Sequence, residues 1–412
     1  MRTIILVTYD ISPYRGSEAS VSWNYVSKMK EHHKLIVLYG RGKEEIEKYL
    51  EAHQMPNVRF INIPYVSLHG SGLLLDIKYN LNYRRWHCQT YLKAKELVNN
   101  EHVDIIHYLN PIGFKEPGYC WKIKDVPYVW GPIQGVENRP IALFPALSFK
   151  GKINALVRRV VHNGMLWCLP RVRKALKRAD AVFAATPNTV KQLKHIHHKD
   201  AIYLPENGIL KMERTEPITM NDTLNLIWVG SVDERKALGI LISALGKVKH
   251  NNWHLNVLGD GPLRGKCEAL ADELGISERI TFHGKVDREQ VQLVFAQSHI
   301  HVISSLGEAT TTVLWEAFSR AIPTLTLDHC GMAGVVSSEC GVKIPIHSYH
   351  QVVNDMAFAI DNLMEHPDNV ERLSQGTIEC AKKFMWANRI ALYDKIYDEI
   401  SKKYQYNEDF NS

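Results

Sequence analysis

The chain is predicted to be an α/β protein of two parallel-sheet domains, and three observations predict it. Its 412 residues exceed what one hydrophobic core usually fills. Short β-branched runs alternate with longer amphipathic stretches along its length, the grammar of parallel sheets covered by helices. That grammar stops once, at the turn signal Pro205-Glu206-Asn207-Gly208 and the polar stretch running on to Asn221-Asp222, and then restarts.

Before the break, strands are expected at 4–9, 35–39, 58–63, 105–109, 128–130, 181–185 and 201–204, with helical patterns such as 19–30 and 91–98 between them. After it, strands are expected at 224–229, 254–258, 280–282, 299–303, 324–327 and 342–344. The expected organisation is an N-terminal Rossmann-like domain at 1–210 and a second at 222–385. Residues 386–412 form a closing segment whose amphipathic helix spans about 387–402, ahead of a polar tail. Open α/β sheets bind ligands beyond the carboxyl ends of their strands, so functional residues belong in loops that follow strands.

Bulk properties narrow the class. Hydrophobic content of 45% with 23% charged residues is ordinary for a globular chain and excludes disordered or fibrous protein. The seven cysteines are scattered without CxxC spacing, which argues against a zinc site or a disulfide framework. No apolar run approaches the roughly 18 residues that suggest a membrane span, and the apolar start at 3–9 is too short for a signal peptide. A cytoplasmic protein with reduced thiols is expected. Charge is unevenly spread. Residues 1–210 carry 30 Lys and Arg against 17 Asp and Glu, whereas 211–412 carry 20 against 27. The first half is therefore expected to meet something anionic.

Loops that follow strands carry the chemistry. Glu308-Ala-Thr-Thr-Thr-Val-Leu-Trp-Glu316 comes after the strand at 299–303 and a loop of small residues. With a helix starting near Thr311, the backbone N–H groups of Thr310, Thr311 and Thr312 would offer a diphosphate an anion site. Glu308 and Glu316 could accept hydrogen bonds from sugar hydroxyls; the bland reading of the pair is solvated helix charge. Gly230-Ser231-Val232-Asp233-Glu234-Arg235-Lys236 follows the next strand of interest. Its adjacent cations suit an anionic leaving group whose charge builds in the transition state, or else form a plain surface pair. Gly259-Asp260-Gly261-Pro262 and Gly284-Lys285-Val286 are tight turns that could border a nucleotide.

In the first half, Arg15-Gly16-Ser17-Glu18 joins the first strand to the first helix, where Gly16 permits close approach and Glu18 is either functional or a helix-start acid. Trp130-Gly131-Pro132-Ile133-Gln134-Gly135 is a further strand-end loop with room for a ligand, and His107 lies late in its strand. The cluster His195, His197, His198 lacks a carboxylate or cysteine partner and reads as an exposed helix end. No Asp-x-Asp occurs, so no diphosphate-chelating metal is expected.

These residues resemble the family 4 glycosyltransferases, retaining enzymes of the GT-B fold that use nucleotide sugars. Glu308 to Glu316 is similar to that family's E-x7-E motif and Gly230 to Lys236 to its donor loop. Asn207-Gly208 resembles the N-G that closes the first domain, and Arg15 to Glu18 the glycine-rich first loop. Phe384-Met385-Trp386 with Tyr393 and Tyr397 resembles the aromatic helix that crosses back to that domain. The resemblance implies two facing domains and a nucleotide-sugar donor, with uracil the favoured base. It also implies a glycan or polyprenyl-diphosphate-linked acceptor in surface polysaccharide synthesis, bacterial capsule-type enzymes being nearest in flavour. Glu308 would hold donor sugar hydroxyls and Glu316 the ribose. Lys236 and Arg235 would neutralise the diphosphate, with His107 in the active site. Two positions depart from the family: Ser231 stands where Arg is frequent, and Leu109 replaces the second histidine of an H-x-H.

Three other classes share parts of this pattern: a nucleotide-sugar 2-epimerase, a glycan phosphorylase and a non-catalytic partner subunit. Retention of both glutamates with Lys236 favours the transferase. Between Glu137 and Asp180 lie ten basic residues and no acid, interleaved with apolar and aromatic side chains, and 73–86 repeats the mixture with Lys78, Arg84 and Arg85. This composition suits an anionic membrane surface, or is the solvated face of a helix; no nucleic-acid-binding motif accompanies it.

Overall fold

The structure, a computed structural model, describes residues 1–16, 18–65, 73–220 and 222–409, with side chains placed for all of these except 73–81 and 405–409. Ser17 and the side chain of Lys78 lie outside the described residues.

The first half builds β1 (Thr3–Asp10), α1 (Glu18–Met29), β2 (Lys34–Arg41), α2 (Lys43–Ala52), β3 (Val58–Asn62), α3 (Leu73–Asn100), β4 (Ile105–Asn110) and β5 (Tyr128–Ile133). It continues through α4 (Phe149–Cys168), α5 (Pro170–Arg178), β6 (Ala181–Ala184), α6 (Pro187–His197) and β7 (Ile202–Tyr203). All seven strands are parallel, in the order β3-β2-β1-β4-β5-β6-β7. Alternate residues of β1 feed two different cores. Ile4 and Leu6 pack with Tyr25 and Phe183 on one face, while Ile5 and Val7 pack with Trp86, Tyr108 and Trp130 on the other. Burial on both faces is why these strands read as unbroken apolar runs.

The second half builds β8 (Leu224–Val229), α7 (Leu238–Leu245), β9 (Trp253–Leu258), α8 (Arg264–Glu273), β10 (Ile280–Gly284), α9 (Arg288–Ala296), β11 (Ile300–Ile303) and α10 (Thr312–Ser319). It ends with β12 (Thr324–Leu327), α11 (Met332–Val335), β13 (Gly341–Ile344), α12 (Tyr349–Glu365), α13 (Asp368–Lys383) and α14 (Trp386–Asp409). Its sheet runs β10-β9-β8-β11-β12-β13, the doubly wound order with a switch point between β8 and β11. Local sequence sets helix starts here: Ser348 and Gln351 form a reciprocal capping box on α12, and the Asp287 side chain accepts from the Gln290 N–H at α9.

The compact units are discontinuous in sequence. One comprises Met1–Val136, Asn163–Asn207 and Trp386–Ser412; the other comprises Glu137–His162 and Gly208–Met385. A boundary drawn along the chain at 210 leaves 137–162 with the first domain, yet Leu143, Leu147 and Ala155 pack into the core of the second unit. Residues of α14 belong to the first unit, where Trp386, Tyr393 and Tyr397 pack against the β1 side of its sheet. Strand β5 runs on to Ile133 rather than ending at 130, so Gly131 lies inside a buried strand and not in an open loop.

Candidate active site

Three loops of the second unit are tied together at the carboxyl ends of β8, β9 and β10. The Gly230 N–H donates to Leu258 O (2.9 Å), Val232 N–H to Asp260 O (3.1 Å) and Gly259 N–H to Gly284 O (2.8 Å). Backbones approach so closely that a Cβ on Gly259 would lie 1.9 Å from Gly230 O, and one on Gly261 2.5 Å from Val232 O. The glycines are thus required by the crossing itself. Around it opens a cavity of about 560 Å³ lined by Gly230, Ser231, Gly259, Asp260, Gly261 and Lys285. Val286, also expected there, is elsewhere, packed against the apolar cluster of Ile227 and Phe295.

Beyond the cavity the same loop delivers its cations. Asp233 Oδ1 accepts the N–H groups of both Arg235 and Lys236 (2.9 Å each), a turn that fixes the direction in which the two side chains leave. Lys236 Nζ then lies 2.8 Å from Glu308 Oε1, and Arg235 pairs with the same oxygen. The Lys236 carbonyl is held by the Ser304 hydroxyl (2.8 Å), which itself accepts the Trp228 indole N–H (3.1 Å). Behind Lys236 sits His301, buried in β11, its pKa lowered to about 3 by burial and by the Lys236 charge. Asp233, Ser304 and His301 were not singled out from sequence; an aspartate two and three residues ahead of the cations is the signal that could have found the first.

Glu308 stands in the loop between β11 and α10. The loop is closed from behind by Gly331, where a Cβ would meet Ala309 O at 1.7 Å. Thr310 and Thr311 are buried, Thr311 is the residue before α10, and Thr312 is its first residue. Glu316 lies further down α10; burial raises its pKa above the ordinary 4.5, against the opposing charges of Arg320 and Arg288. The structure therefore joins Arg235, Lys236 and Glu308 directly, and gathers Gly230, Ser231, Gly259, Gly261 and Lys285 around one cavity.

Residues expected from the first half lie in the other unit. Gly16 is exposed, beside an Arg15 that is clasped by Asp10 (2.6 and 3.0 Å) and Glu45 (2.7 Å). Glu18 opens α1, its pKa raised by burial and then by Asp10. His107 is fully buried: the Gly131 carbonyl accepts from Nε2 (2.8 Å), and the Tyr397 hydroxyl bonds Nδ1 (2.6 Å). Burial lowers its pKa to about 4, and both ring nitrogens are engaged within the protein. Gly131 serves that same packing, since a Cβ would lie 2.3 Å from Phe183 O. Among the described residues no group of three His, Cys, Asp or Glu side chains converges as a metal site, and no helix is long and apolar enough to cross a membrane.

Fold and site define a class. Residues 214–379, which hold the cavity, both cations and both glutamates, match the family model described as glycosyl transferases group 1. Individual relatives are more distant. The chain is 29% identical to the lipopolysaccharide core biosynthesis glycosyltransferase LpsD of Rhizobium meliloti over 40% of its own length and 46% of that protein. It is 30% identical to the lipopolysaccharide glucosyltransferase WaaG of Escherichia coli over 37% and 39%. A 23% match to the phosphatidylinositol N-acetylglucosaminyltransferase gpi3 subunit of Schizosaccharomyces pombe covers 43% and 39%. The alignments thus span less than half of each of these relatives. Solved structures share the whole fold: sucrose-phosphate synthase from Thermosynechococcus elongatus has a TM-score of 0.67 at 15% identity, covering 97% of this chain and 99% of that one. Anabaena HepE in complex with UDP has a TM-score of 0.61 at 14% identity, covering 98% and 99%. The chain has the two-domain α/β fold of the GT-B glycosyltransferases in that set.

Proposed function

We propose that the chain is a retaining glycosyltransferase that moves a sugar from a nucleotide sugar, with UDP as the carrier, to a glycan or polyprenyl-diphosphate-linked acceptor in surface polysaccharide synthesis. The observation that carries this reading is the convergence of Arg235 and Lys236 on Glu308 at the sheet's switch point, beside the glycine-lined cavity at the ends of β8, β9 and β10. Solved complexes of HepE with UDP and with UDP-glucose have the same fold and support the choice of carrier.

In the proposed reaction the bond from sugar C1 to the diphosphate oxygen breaks and a bond from C1 to the acceptor oxygen forms on the same face. The acceptor's proton passes to the departing diphosphate. Lys236 and Arg235 neutralise the charge that grows on that leaving group. Glu308 accepts from the donor sugar's hydroxyls and Glu316 from the ribose, while N–H groups at Thr310–Thr312 face the phosphates. No metal takes part. Thermal melts of the protein against a panel of nucleotide sugars test the donor, because a ligand that binds only the folded state raises apparent stability. If no UDP-sugar shifts the transition, or if EDTA abolishes transfer and Mn²⁺ restores it, this reading fails.

The proposed site of work is the inner face of a membrane, and the supporting feature is α4. Phe149, Ile153, Leu156 and Val160 recur at helical spacing and are exposed, Phe149 by 80% and Val160 by 73%. Lys152 and Arg159 flank the stripe on one edge and Lys150 on the other, each worth about 1 kcal/mol near anionic lipid. The helix α5 is a poorer candidate, because Arg171 pairs with Glu116 (3.0 Å) and Arg178 with Asp180 (2.7 Å). Co-sedimentation should therefore favour anionic over neutral vesicles and be lost in a Phe149→Asp, Val160→Asp variant but kept in Arg171→Gln. Equal binding to both kinds of vesicle removes the membrane claim alone.

A further inference from the structure

The peptide groups that carry the two cations are clamped from both sides. Asp233 Oδ1 takes the N–H groups of Arg235 and Lys236. On the opposite side, the Arg235 carbonyl accepts the Leu306 N–H (2.8 Å) and the Lys236 carbonyl accepts the Ser304 hydroxyl (2.8 Å). Ser304 and Leu306 belong to the short loop that leaves β11 and reaches Glu308 two residues after Leu306. One short segment thus bears the carboxylate and grips the backbone of the cations paired with it.

Within this clamp Ser304 has a part that few side chains can play. It is fully buried, and its Oγ accepts from the buried Trp228 indole (3.1 Å) while its own O–H goes to the Lys236 carbonyl. Only a group that accepts and donates at one atom completes that relay, as a hydroxyl does. The carbonyl it holds precedes Ala237, whose φ of +50° a residue other than glycine adopts at a cost. The backbone is therefore held where it would not rest by itself. From there the Lys236 stem crosses Gly230, where a Cβ would lie 3.1 Å from Cε, and Gly230 lines the cavity. A shift of the Lys236 peptide thus carries its ammonium group along the cavity wall.

We propose that Ser304, oriented by Trp228, is a positioning residue for Lys236 and sets where the ammonium group meets the diphosphate of the nucleotide. The proposal rests on the diphosphate role given to Lys236 above. Isothermal titration of the full chain with UDP and with UMP tests it, because the two ligands differ by the terminal phosphate. Ser304→Ala should weaken UDP about fivefold, the scale of one lost hydrogen bond, and UMP by less than about twofold. Trp228→Phe keeps an aromatic ring and loses the N–H; it should show the same split at smaller size, and it carries the test if Ser304→Ala fails to fold. Added to Lys236→Ala, Ser304→Ala should cost less than about twofold more, because it acts through that side chain. A general loosening of the unit would instead weaken both ligands alike. Equal losses of UDP and UMP affinity, an unchanged UDP affinity, or full additivity with Lys236→Ala overturns the proposal. A Lys236→Ala variant that binds UDP as tightly as the wild type removes the diphosphate role of Lys236 and this proposal with it. One that loses UDP beside an unaffected Ser304→Ala removes the positioning role alone. Should the wild type bind no UDP, that carrier falls, and the same split is required between another nucleoside diphosphate and its monophosphate.

Discussion

One carboxylate oxygen holds two cations. Glu308 Oε1 pairs with both Arg235 and Lys236, and in the proposed reaction the departing diphosphate takes that role. Lys236→Ala should lower turnover by roughly 10²-fold, the scale for losing one transition-state charge partner, as measured by initial rates at saturating donor. A variant that keeps most of its activity would transfer the role to Arg235. Glu316 makes a different prediction. Its raised pKa means that it gains a proton at a higher pH than an ordinary glutamate, and only the ionised form accepts from two ribose hydroxyls. Nucleotide affinity should therefore fall as pH drops through that raised pKa, starting above 4.5, and Glu316→Gln should flatten the profile. A wild-type affinity constant down to pH 4 would contradict the ribose role.

At the scale of the element, the loops were legible in sequence where their chemistry is local. Gly230 to Lys236 directly follows β8 and Glu308 to Glu316 begins five residues after β11, and all thirteen strands fall on or within a few residues of their expected positions. Contacts distant in sequence were not legible. Nothing near Ser148 signals that its N–H meets Glu234, 86 residues away, and nothing near His107 signals that Tyr397 will complete its hydrogen bonding. Asp233 reads as one more loop acid until its oxygen is seen bridging two N–H groups. The loop crossing predicts an effect that distinguishes two glycines. Gly259→Ala places a Cβ 1.9 Å from Gly230 O at a φ of +129°, so it should destabilise by more than about 1 kcal/mol and impair nucleotide binding. Gly265→Ala, in α8 with open space around it, should instead stabilise by about 0.5–1 kcal/mol. Thermal melts of the two variants compare them directly; equal melting temperatures would mean that the crossing relaxes at little cost.

Across the whole molecule, each compact unit borrows a segment from the far side of the chain, and the first unit's borrowing is the larger test. Helix α14 brings Trp386, Tyr393, Tyr397 and Ile400 into the core that also holds Ile4 and Leu6, each at most 3% exposed. Tyr397 further supplies the hydroxyl that bonds both Tyr25 (2.5 Å) and His107, and Arg389 donates to the Asn207 carbonyl (3.1 Å). Burying a large side chain is worth about 1.5–3 kcal/mol, so these four contribute roughly 6–12 kcal/mol. A domain's entire stability is about 5–15 kcal/mol. A fragment of residues 1–207 loses that contribution, leaves a buried histidine nitrogen unpaired, and strands the apolar 137–162 strap without the core it packs on. It should therefore show no cooperative thermal transition by circular dichroism, whereas residues 1–207 joined by a flexible linker to 386–412 should regain one. A sharp transition in the short fragment, near that of the full chain, would show that α14 docks on an already complete domain.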